Sequence, residues 1–276
     1  MIPSPKQPNL RSARSGSNRS LTNMPEQTSS RKVARYASGD RVETSDLLAV
    51  EEPLEIRIAG EPIAVTMRTP GSDHWLTAGF LLSEGIIGDL SDVSRIYHCG
   101  RPGTDEFGNT VDVTPAPGHS FNPDSITSSK RGTLTTSSCG VCGRQNIDDL
   151  LDRLEAFSED IYVSVDLIHK AIGTLNRGQP TFNATGGVHA AAIVTLSGET
   201  LSCCEDIGRH NAVDKAVGSL LYRDSWPKDA TVLSVSGRAS FEMVQKAAAA
   251  RIPVVASVSA ASSLATDLAD RMGIIL

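Results

Sequence analysis

The sequence predicts an α/β protein in which a smaller N-terminal α+β domain precedes a larger α/β domain. Apolar and polar residues alternate on both sides of Gly60-Glu61-Pro62, a pattern that is typical of a β-hairpin. Strand-like and helix-like segments alternate over the last third of the chain, which favours parallel strands covered by helices. The length of 276 residues suits one large or two modest domains.

Residues 1–38 are predicted to be a disordered basic leader. The first 35 residues contain seven Lys or Arg, one acid and seven serines, which gives a formal charge of +6. A segment of this composition buries too little apolar surface to offset the entropy of folding. The rest of the chain carries −12, and this acidic balance argues against nucleic acid as a partner.

Residues 39–132 are predicted to form the α+β domain. Its hairpin covers 50–68, and a helical pattern follows over 73–85 with a glycine at its end, where glycine commonly closes a helix. Two further short strands are predicted over 93–99 and 109–114.

Residues 133–276 are predicted to form the α/β domain, with a Cys-x-x-Cys loop near its start. A helix is expected over 147–157, and a second hairpin turns at Ser197-Gly198. The remaining predicted elements, in chain order, are a helix capped by Asn211, a strand over 231–236, a helix from Ser240, a strand over 254–259, a helix from Ser262 to Gly273, and the first half of a strand over 274–276.

The cysteine count points to a reducing compartment. The five cysteines are Cys99, Cys139, Cys142, Cys203 and Cys204, and an odd number with two adjacent is a poor disulfide framework. Free thiols favour the cytoplasm. No run approaches the ~20 apolar residues that a membrane helix needs, and the N-terminus has no signal-peptide core, so no membrane association is expected.

The pair Cys139 and Cys142 lies among small polar residues, which predicts an exposed loop and a reachable thiolate. Such a pair can hold a metal, cycle as a dithiol, or carry sulfur as a persulfide. No second Cys-x-x-Cys is present to complete a zinc site, and the next predicted helix begins late for a thioredoxin-like pair. The residues favour sulfur carriage but leave all three chemistries open.

Two strand-to-helix junctions are candidates for ligand binding, since open α/β sheets bind ligands beyond the carboxyl ends of their strands. The first contains Arg209 and His210, and the second contains Gly237 and Arg238. A helix N-terminus attracts phosphate, and cations beside it would add to that attraction. The structural alternative is a capped helix with solvated charges and a glycine that only makes a turn. His189, which follows two glycines, suits a ligand, an acid or base, or a core residue equally well.

Five segments in this order resemble the formate dehydrogenase accessory sulfurtransferase family, FdhD. They are SCGVCG at 138–143, GGVHAA at 186–191, EDIGRHNAVDK at 205–215, SGRASFE at 236–242 and VSAASSLA at 258–265. The resemblance implies a cytidine deaminase-like, three-layer fold for the C-terminal domain. Deaminase chemistry itself is not expected, because Ala191 stands where that chemistry needs a glutamate and no Pro-Cys-x-x-Cys follows.

The resemblance also implies a function, namely a sulfurtransferase that formate dehydrogenase requires for its activity. Cys139 would carry a persulfide sulfur taken from a cysteine desulfurase, with Cys142 as its helper. The sulfur would pass to the molybdenum (or tungsten) of a bis-molybdopterin guanine dinucleotide cofactor that binds transiently. Arg209, His210 and the Gly237-Arg238 turn would hold the anionic groups of that cofactor.

The implied partners are the desulfurase, formate dehydrogenase and a second copy of the chain in a homodimer, with no nucleic acid, no membrane and no resident metal or cofactor. Family members continue past the last strand into a Gly/Arg-containing segment that contacts the guanine dinucleotide, whereas the sequence in hand ends at Leu276. The alternative function is a non-catalytic chaperone that binds the cofactor and uses its cysteines only as ligands.

Overall fold

The computed structural model of the chain shows a mixed α/β protein. The residues that the structure describes are 27–37, 40–100, 107–121, 154–158, 161–223 and 229–276. Within them, ten strands form a two-stranded ribbon and two four-stranded sheets, and six α-helices accompany the sheets. The Cys139–Cys142 loop lies outside the described residues.

The ribbon is the first element of the described chain and corrects the predicted leader. Strands β1 (Thr28–Ala37) and β2 (Asp40–Ala49) pair antiparallel over their whole length, from Thr28 opposite Ala49 to Ala37 opposite Asp40. The expectation of disorder up to residue 38 is therefore wrong from residue 28 onward. The composition of this segment led to a wrong prediction of disorder. The two strands of a hairpin satisfy each other's backbone hydrogen-bonding groups, and this requires little buried apolar surface.

The N-terminal sheet contains the predicted hairpin and has the strand order β4-β3-β6-β5. Hairpin strands β3 and β4 are antiparallel, β3 and β6 are parallel, and β5 and β6 are antiparallel. Helix α1 connects β4 to β5 and ends before Gly85, whose positive φ agrees with the predicted closing glycine. The bounds are β3 Glu52–Ile58, β4 Glu61–Arg68, α1 Asp73–Ser83, β5 Val93–His98 and β6 Thr110–Pro115.

The C-terminal sheet has the order β10-β9-β7-β8, with β7 His189–Val194, β8 Thr200–Asp206, β9 Val232–Val235 and β10 Val254–Ser257. Strands β9 and β10 are parallel, but β7 runs antiparallel to both of its neighbours. The antiparallel pairing of β7 and β8 confirms the hairpin predicted at Ser197-Gly198, and β8, β9 and β10 run in the same direction, as the alternation of strands and helices predicted. As a result, β8, β9 and β10 all end at one edge of the sheet, where β7 begins.

Five helices accompany this sheet: α2 Val165–Arg177, α3 Pro180–Thr185, α4 Arg209–Leu221, α5 Phe241–Ala249 and α6 Ser263–Met272. Ser262 caps α6 and Gly273 closes it, as predicted. Helices α2 and α3 were not predicted, and α4 begins at Arg209 after an N-cap at Gly208 rather than at Asn211. Residues 154–158 are not helical, although the predicted helix extends into them. The earlier part of that prediction lies outside the described residues.

Helices cover both faces of the C-terminal sheet. Ala190 and Ala192 share an apolar cluster with Leu175 of α2. Ala191 and Ile193 point to the other face and join the large core that contains α4 and α5. Strand alternation therefore divides β7 between two helical layers. The large core also contains the buried residues of the N-terminal sheet, so the two sheets share one core.

Helices α1 and α4 join the two halves at a backbone contact. A Cβ atom on Gly79 of α1 would overlap the carbonyl group of Asp214 in α4. A Cβ atom on Gly218 of α4 would overlap the carbonyl oxygen of Trp75 and would lie 2.8 Å from the Gly79 nitrogen. Only glycine at both positions lets the two helices approach this closely.

We predict that Gly79→Ala lowers the free energy of unfolding by about 3 kcal/mol or more, because backbone on both sides cannot move aside as a side chain would. The measurement is urea denaturation followed by circular dichroism. Gly173→Ala is the matched control: it is also a mid-helix glycine, but its new Cβ would meet only Arg177 Nη1 at 3.5 Å. The control should be neutral or stabilised by up to about 1 kcal/mol. Equal effects of the two substitutions would contradict the contact.

Candidate functional site

Three turns meet at the edge of the C-terminal sheet where β8 and β9 end and β7 begins. Gly237, in the turn after β9, lies at their centre. A Cβ atom on Gly237 would lie 3.3 Å from Arg209 Cδ and 3.7 Å from His189 Nδ1. The fold thus brings together Arg209 and Gly237, two of the predicted site residues, and adds His189.

Ser236 connects the β9 turn to the start of β7. Its hydroxyl accepts a hydrogen bond from the Ala190 N–H at 2.9 Å and lies 3.4 Å from His189 Nδ1. The Ser236 N–H in turn donates to the Ala190 carbonyl at 3.0 Å. Burial lowers the pKa of His189, and the charges of Arg209 and His210 lower it further. His189 is therefore a neutral hydrogen-bonding group at this edge at neutral pH.

Arg209 is the first residue of α4 and has an unsatisfied donor. Its guanidinium is partly exposed, but Nε is buried and has no hydrogen-bond partner among the described residues. An unpaired buried donor costs about 1–3 kcal/mol, and more when it is charged. The first N–H groups of α4 open at the same place, since they have no partners within the helix. An anionic acceptor placed here would satisfy both.

His210 is buried beside Glu242 of α5. Its Nε2 lies 2.7 Å from Glu242 Oε2, and its Nδ1 has no partner within the described part of the chain. Burial lowers the pKa of His210, and the Glu242 carboxylate only partly opposes that shift. Anion binding by His210 stays a prediction, but the ring would contribute as a neutral donor or acceptor rather than as a cation.

Arg238 is exposed in the turn that follows Gly237. It makes no hydrogen bond or ion pair with any described residue, so its side chain is available to a ligand at the same edge. Among the four predicted binding residues, Arg209 and Arg238 are therefore the two cations, and Gly237 supplies close backbone approach.

Asp206 holds the turn that carries Arg209, and sequence reasoning missed it. It is fully buried at the end of β8, and four donors converge on its two carboxylate oxygens. Lys215 Nζ at 2.7 Å and the Thr69 N–H at 3.2 Å reach Oδ2. The Gly208 N–H at 2.8 Å and Asn211 Nδ2 at 3.1 Å reach Oδ1. Its sequence signals were an acid at the end of a buried strand and a position within EDIGRHNAVDK, one of the five segments that carry the family resemblance.

The same cluster ties this turn to the N-terminal sheet. Lys215 also donates to the Thr69 carbonyl at 2.7 Å, and the Thr69 hydroxyl accepts from the Ile207 N–H at 3.1 Å. Asn211, predicted as a helix cap, instead donates to the Met67 carbonyl at 2.7 Å. The end of β4 therefore sets the position of the Arg209 turn.

A cleft of about 440 Å³ opens beside His189 and Ser236. Its walls come from α2, α3, the start of β7 and the residues after β9 and β10. They are Leu175, Asn176, Gln179, Phe182, Gly186, Gly187, Val188, His189, Ser236 and Val258. The mixture of apolar walls and a few polar groups is typical of a site for a small organic ligand.

Of the three described cysteines, Cys203 and Cys204 do not offer a ready thiolate. Burial raises the pKa of the half-buried Cys203 to about 11, and Cys204 is buried with a raised pKa. Cys139 and Cys142 lie outside the described residues. Within the described ranges, no group of three or more His, Cys, Asp or Glu side chains could hold a metal ion. No helix in those ranges is long and apolar enough to cross a membrane.

Sequence comparison matches the chain to a protein family and to named relatives. The profile of the FdhD/NarQ family matches residues 49–276. A protein of Anaeromyxobacter dehalogenans strain 2CP-C named sulfur carrier protein FdhD is 50% identical over 237 residues, which cover 84% of this chain and 82% of that protein. A protein of the same name from Streptomyces avermitilis is 47% identical over 254 residues, covering 90% of this chain and 89% of the relative.

Structural comparison identifies a similar fold in a crystal structure of a candidate formate dehydrogenase accessory protein from Desulfotalea psychrophila. The two align with a TM-score of 0.69 over 90% of this chain and 91% of that one, at 24% sequence identity. At this identity the match shows a shared fold.

We predict that His189 and His210 both titrate below the ordinary histidine pKa of 6.5, measured from the ring proton shifts by NMR. Their pKa values are lowered in the folded state. Below pH 6.5 the unfolded chain therefore binds more protons at these two histidines than the folded chain does. The free energy of unfolding should therefore fall as the pH falls below 6.5, and His210→Gln should reduce that fall. Titration midpoints above 6.5 would contradict the neutral assignment.

Proposed function

Because the chain belongs to the FdhD/NarQ family, we propose that it carries sulfur for formate dehydrogenase as a persulfide on Cys139. The observation that carries the proposal is the Cys139-x-x-Cys142 pair in a chain whose relatives, about half identical to it, are named sulfur carrier proteins. The burial of Cys203 and Cys204 supports the choice of the Cys139–Cys142 pair over those two, since burial disfavours their thiolates.

Loading is a thiol–disulfide type of exchange. The Cys139 thiolate attacks the outer sulfur of a persulfide on a cysteine desulfurase. A sulfur–sulfur bond forms on Cys139 while the bond to the desulfurase cysteine breaks, and that cysteine leaves as a thiolate. No electrons are gained or lost overall. Cys142 is placed to stabilise, relay or resolve the Cys139 persulfide.

The acceptor in this proposal is the molybdenum of a bis-molybdopterin guanine dinucleotide cofactor, which is a substrate of the protein and not a resident group. The groups at the edge of the C-terminal sheet where β8 and β9 end support this choice of acceptor. Among the described residues, Arg209 Nε is buried without a hydrogen-bond partner and the exposed Arg238 has no ion pair, and Arg209 lies at the N-terminus of α4. These groups suit pyrophosphate, and the neighbouring cleft beside His189 suits a flat ring system.

Local cations matter because the surrounding protein is acidic. Residues 50–276 contain 18 Lys or Arg against 28 Asp or Glu. An anionic cofactor approaching such a body is repelled on average, so its binding requires a local reversal of the potential. Arg209 and Arg238 supply that reversal at one edge.

In this proposal the protein acts in the cytoplasm. Its partners are a cysteine desulfurase, formate dehydrogenase and a second copy of the same chain. Its C-terminal half is cytidine deaminase-like, and the helix–sheet–helix layering supports that assignment. The cofactor cleft alone would also suit a non-catalytic chaperone, which the following experiment separates from a carrier.

We predict that incubation with a cysteine desulfurase and cysteine adds about 32 Da to the full chain, the mass of one sulfur atom, as seen by intact-protein mass spectrometry. The adduct should disappear in Cys139→Ala and remain in Cys142→Ala, which serves as the matched control. A chain that takes up no sulfur, together with a Cys139→Ala variant that still supports formate dehydrogenase activity, would favour the chaperone.

We also predict that Arg209→Ala weakens binding of GDP, a probe for the nucleotide end of the proposed cofactor, by about tenfold or more. A charge-assisted hydrogen bond is worth about 1.5–3 kcal/mol, which corresponds to that factor. Isothermal titration calorimetry measures it. Arg95→Ala removes an exposed arginine on β5 and should leave the affinity unchanged. Equal affinities of the two variants would exclude Arg209 from the site.

A further inference from the structure

Strand β8 ends in two consecutive acids, Glu205 and Asp206, whose side chains point to opposite faces of the sheet. Asp206 holds the turn that carries Arg209, on the face against which α4 packs. Glu205 lies opposite Ala190 of β7 and therefore shares the other face, on which α2 packs. Adjacent residues of one strand thus reach two different parts of the candidate site.

Glu205 anchors helix α3 through its backbone. The two carboxylate oxygens accept hydrogen bonds from the Thr181 N–H at 2.9 Å and the Phe182 N–H at 2.7 Å. Helix α3 has only six residues and begins with Pro180, so these are the first N–H groups that it presents. Because a helix of this length is not stable by itself, the carboxylate helps to fix where α3 lies against the sheet.

Further contacts on the same face hold α3 and the segment before it. Cys203, two residues before Glu205, places its sulfur 3.6 Å from the Gly178 carbonyl oxygen, and a Cβ atom on that glycine would overlap the sulfur. At the far end of α3, the Gly186 N–H donates to the Phe182 carbonyl at 2.6 Å, and the positive φ of Gly186 closes the helix. Phe182 is therefore hydrogen-bonded through both its N–H and its carbonyl.

Phe182 contributes the largest apolar side chain to the described walls of the cleft beside His189. It is 43% exposed although its backbone is fixed on both sides. An aromatic side chain held in this way at the wall of a cavity of about 440 Å³ is a suitable stacking surface for a flat ring.

The cleft carries no formal charge on its described walls. None of the residues that line it is Lys, Arg, Asp or Glu, and burial lowers the pKa of His189, which is neutral at neutral pH. Hydrogen-bond donors and acceptors are supplied by the side chains of Asn176, Gln179, His189 and Ser236. Such walls favour an uncharged ring with polar edges over an anion, since they offer no opposite charge.

We propose that Glu205 is a positioning residue, which holds Phe182 as the stacking surface for an uncharged planar heterocycle in the cleft. The assignment rests on the proposed function, because the ring belongs to the ligand whose phosphates bind at Arg209. Guanine and pterin share the required chemistry, since each is a fused bicycle with donors and acceptors along one edge. Glu205 and Asp206 then place the ring and the phosphates of one ligand from adjacent positions in one strand.

The test measures three probes on the full chain: guanosine and inorganic pyrophosphate by isothermal titration calorimetry, and pterin by quenching of its fluorescence. Phe182→Ala should weaken binding of the ring probe about fivefold or more, since stacking of a base on an aromatic side chain is worth about 1–3 kcal/mol. Phe107→Ala removes another exposed phenylalanine and should leave the affinity unchanged. Sensitivity of guanosine binding to Phe182→Ala assigns the cleft to guanine, and sensitivity of pterin binding assigns it to pterin.

Glu205→Gln separates positioning from folding. The amide keeps the shape of the carboxylate but has one acceptor oxygen for two N–H groups, so the affinity for the ring probe should fall about twofold or more. The affinity for pyrophosphate should stay that of wild type, because Asp206 and not Glu205 holds the Arg209 turn. Glu199→Gln makes the same change at the exposed end of the β7–β8 hairpin and should alter neither affinity.

A wild-type chain that binds neither guanosine nor pterin, or a Phe182→Ala variant with unchanged affinity for the ring probe, would overturn the stacking site. Equal losses of ring and pyrophosphate affinity in Glu205→Gln would overturn the positioning role, because they indicate a general structural defect. A wild type that binds the ring probe but not pyrophosphate would contradict the phosphate site of the proposed function and leave the stacking site in place. Persulfide loading is measured separately and is unaffected by these outcomes.

Discussion

The carboxylate of Asp206 is the constraint on which the arrangement of this protein depends. It is fully buried at the end of β8, and its oxygens meet Lys215 of α4, Thr69 after β4, and the Gly208-to-Asn211 turn. A buried charge pair is tolerated only when its remaining hydrogen bonds are satisfied, and here both partners have additional contacts that satisfy them. One side chain therefore fixes the β8 turn, the first turn of α4 and the end of the N-terminal sheet relative to one another. Arg209 lies within that turn, so the candidate site takes its geometry from a charge that no ligand touches.

The glycine contact between α1 and α4 works with this ion pair. The glycines let two backbones touch, and the cluster around Asp206 and Thr69 sets the position of α4 along that contact. Nearby, Lys246 of α5 lies 2.6 Å from Asp214, which also accepts from the Ser83 hydroxyl of α1 at 3.0 Å. Buried polar groups thus lie at several points where the two halves of the chain meet. Such groups specify the register of packed helices more strictly than a purely apolar interface would. These contacts hold α1, α4 and α5 in place behind the sheet edge of the candidate site. Polar groups at that edge lack hydrogen-bond partners among the described residues.

The sequence predicted those elements whose signals are local. The hairpin at Gly60, the helix that closes at Gly273 and the short strands β5 and β6 all follow from turn residues or alternation, and the structure confirms them. Helix α2 was within reach as well, since Ser164 caps it and Leu167, Ala171 and Leu175 have helical spacing. The ribbon was missed because its stability does not depend on burial that composition can report. The pairing of β7 with β9 and the Glu242 partner of His210 depend on contacts between segments that are far apart in the sequence. Residues such as Arg209 could be predicted as site residues from their place at a strand-to-helix junction. Their missing hydrogen-bond partners could be identified only from the folded structure.

The backbone contact at Gly79 and Gly218 has a consequence for how this protein can be divided. Helix α4 is buried along its whole length from His210 to Leu221, and part of that burial comes from α1 of the other half. A fragment that began after the N-terminal sheet would open a groove along α4 and leave Lys215 and Asn211 without their partners on Thr69 and Met67. The two sheets thus share one apolar core and the contact between α1 and α4. Replacing α1 or α4 alone by a helix of another sequence should accordingly disrupt the contact, since Gly79 and Gly218 form two complementary halves of one surface.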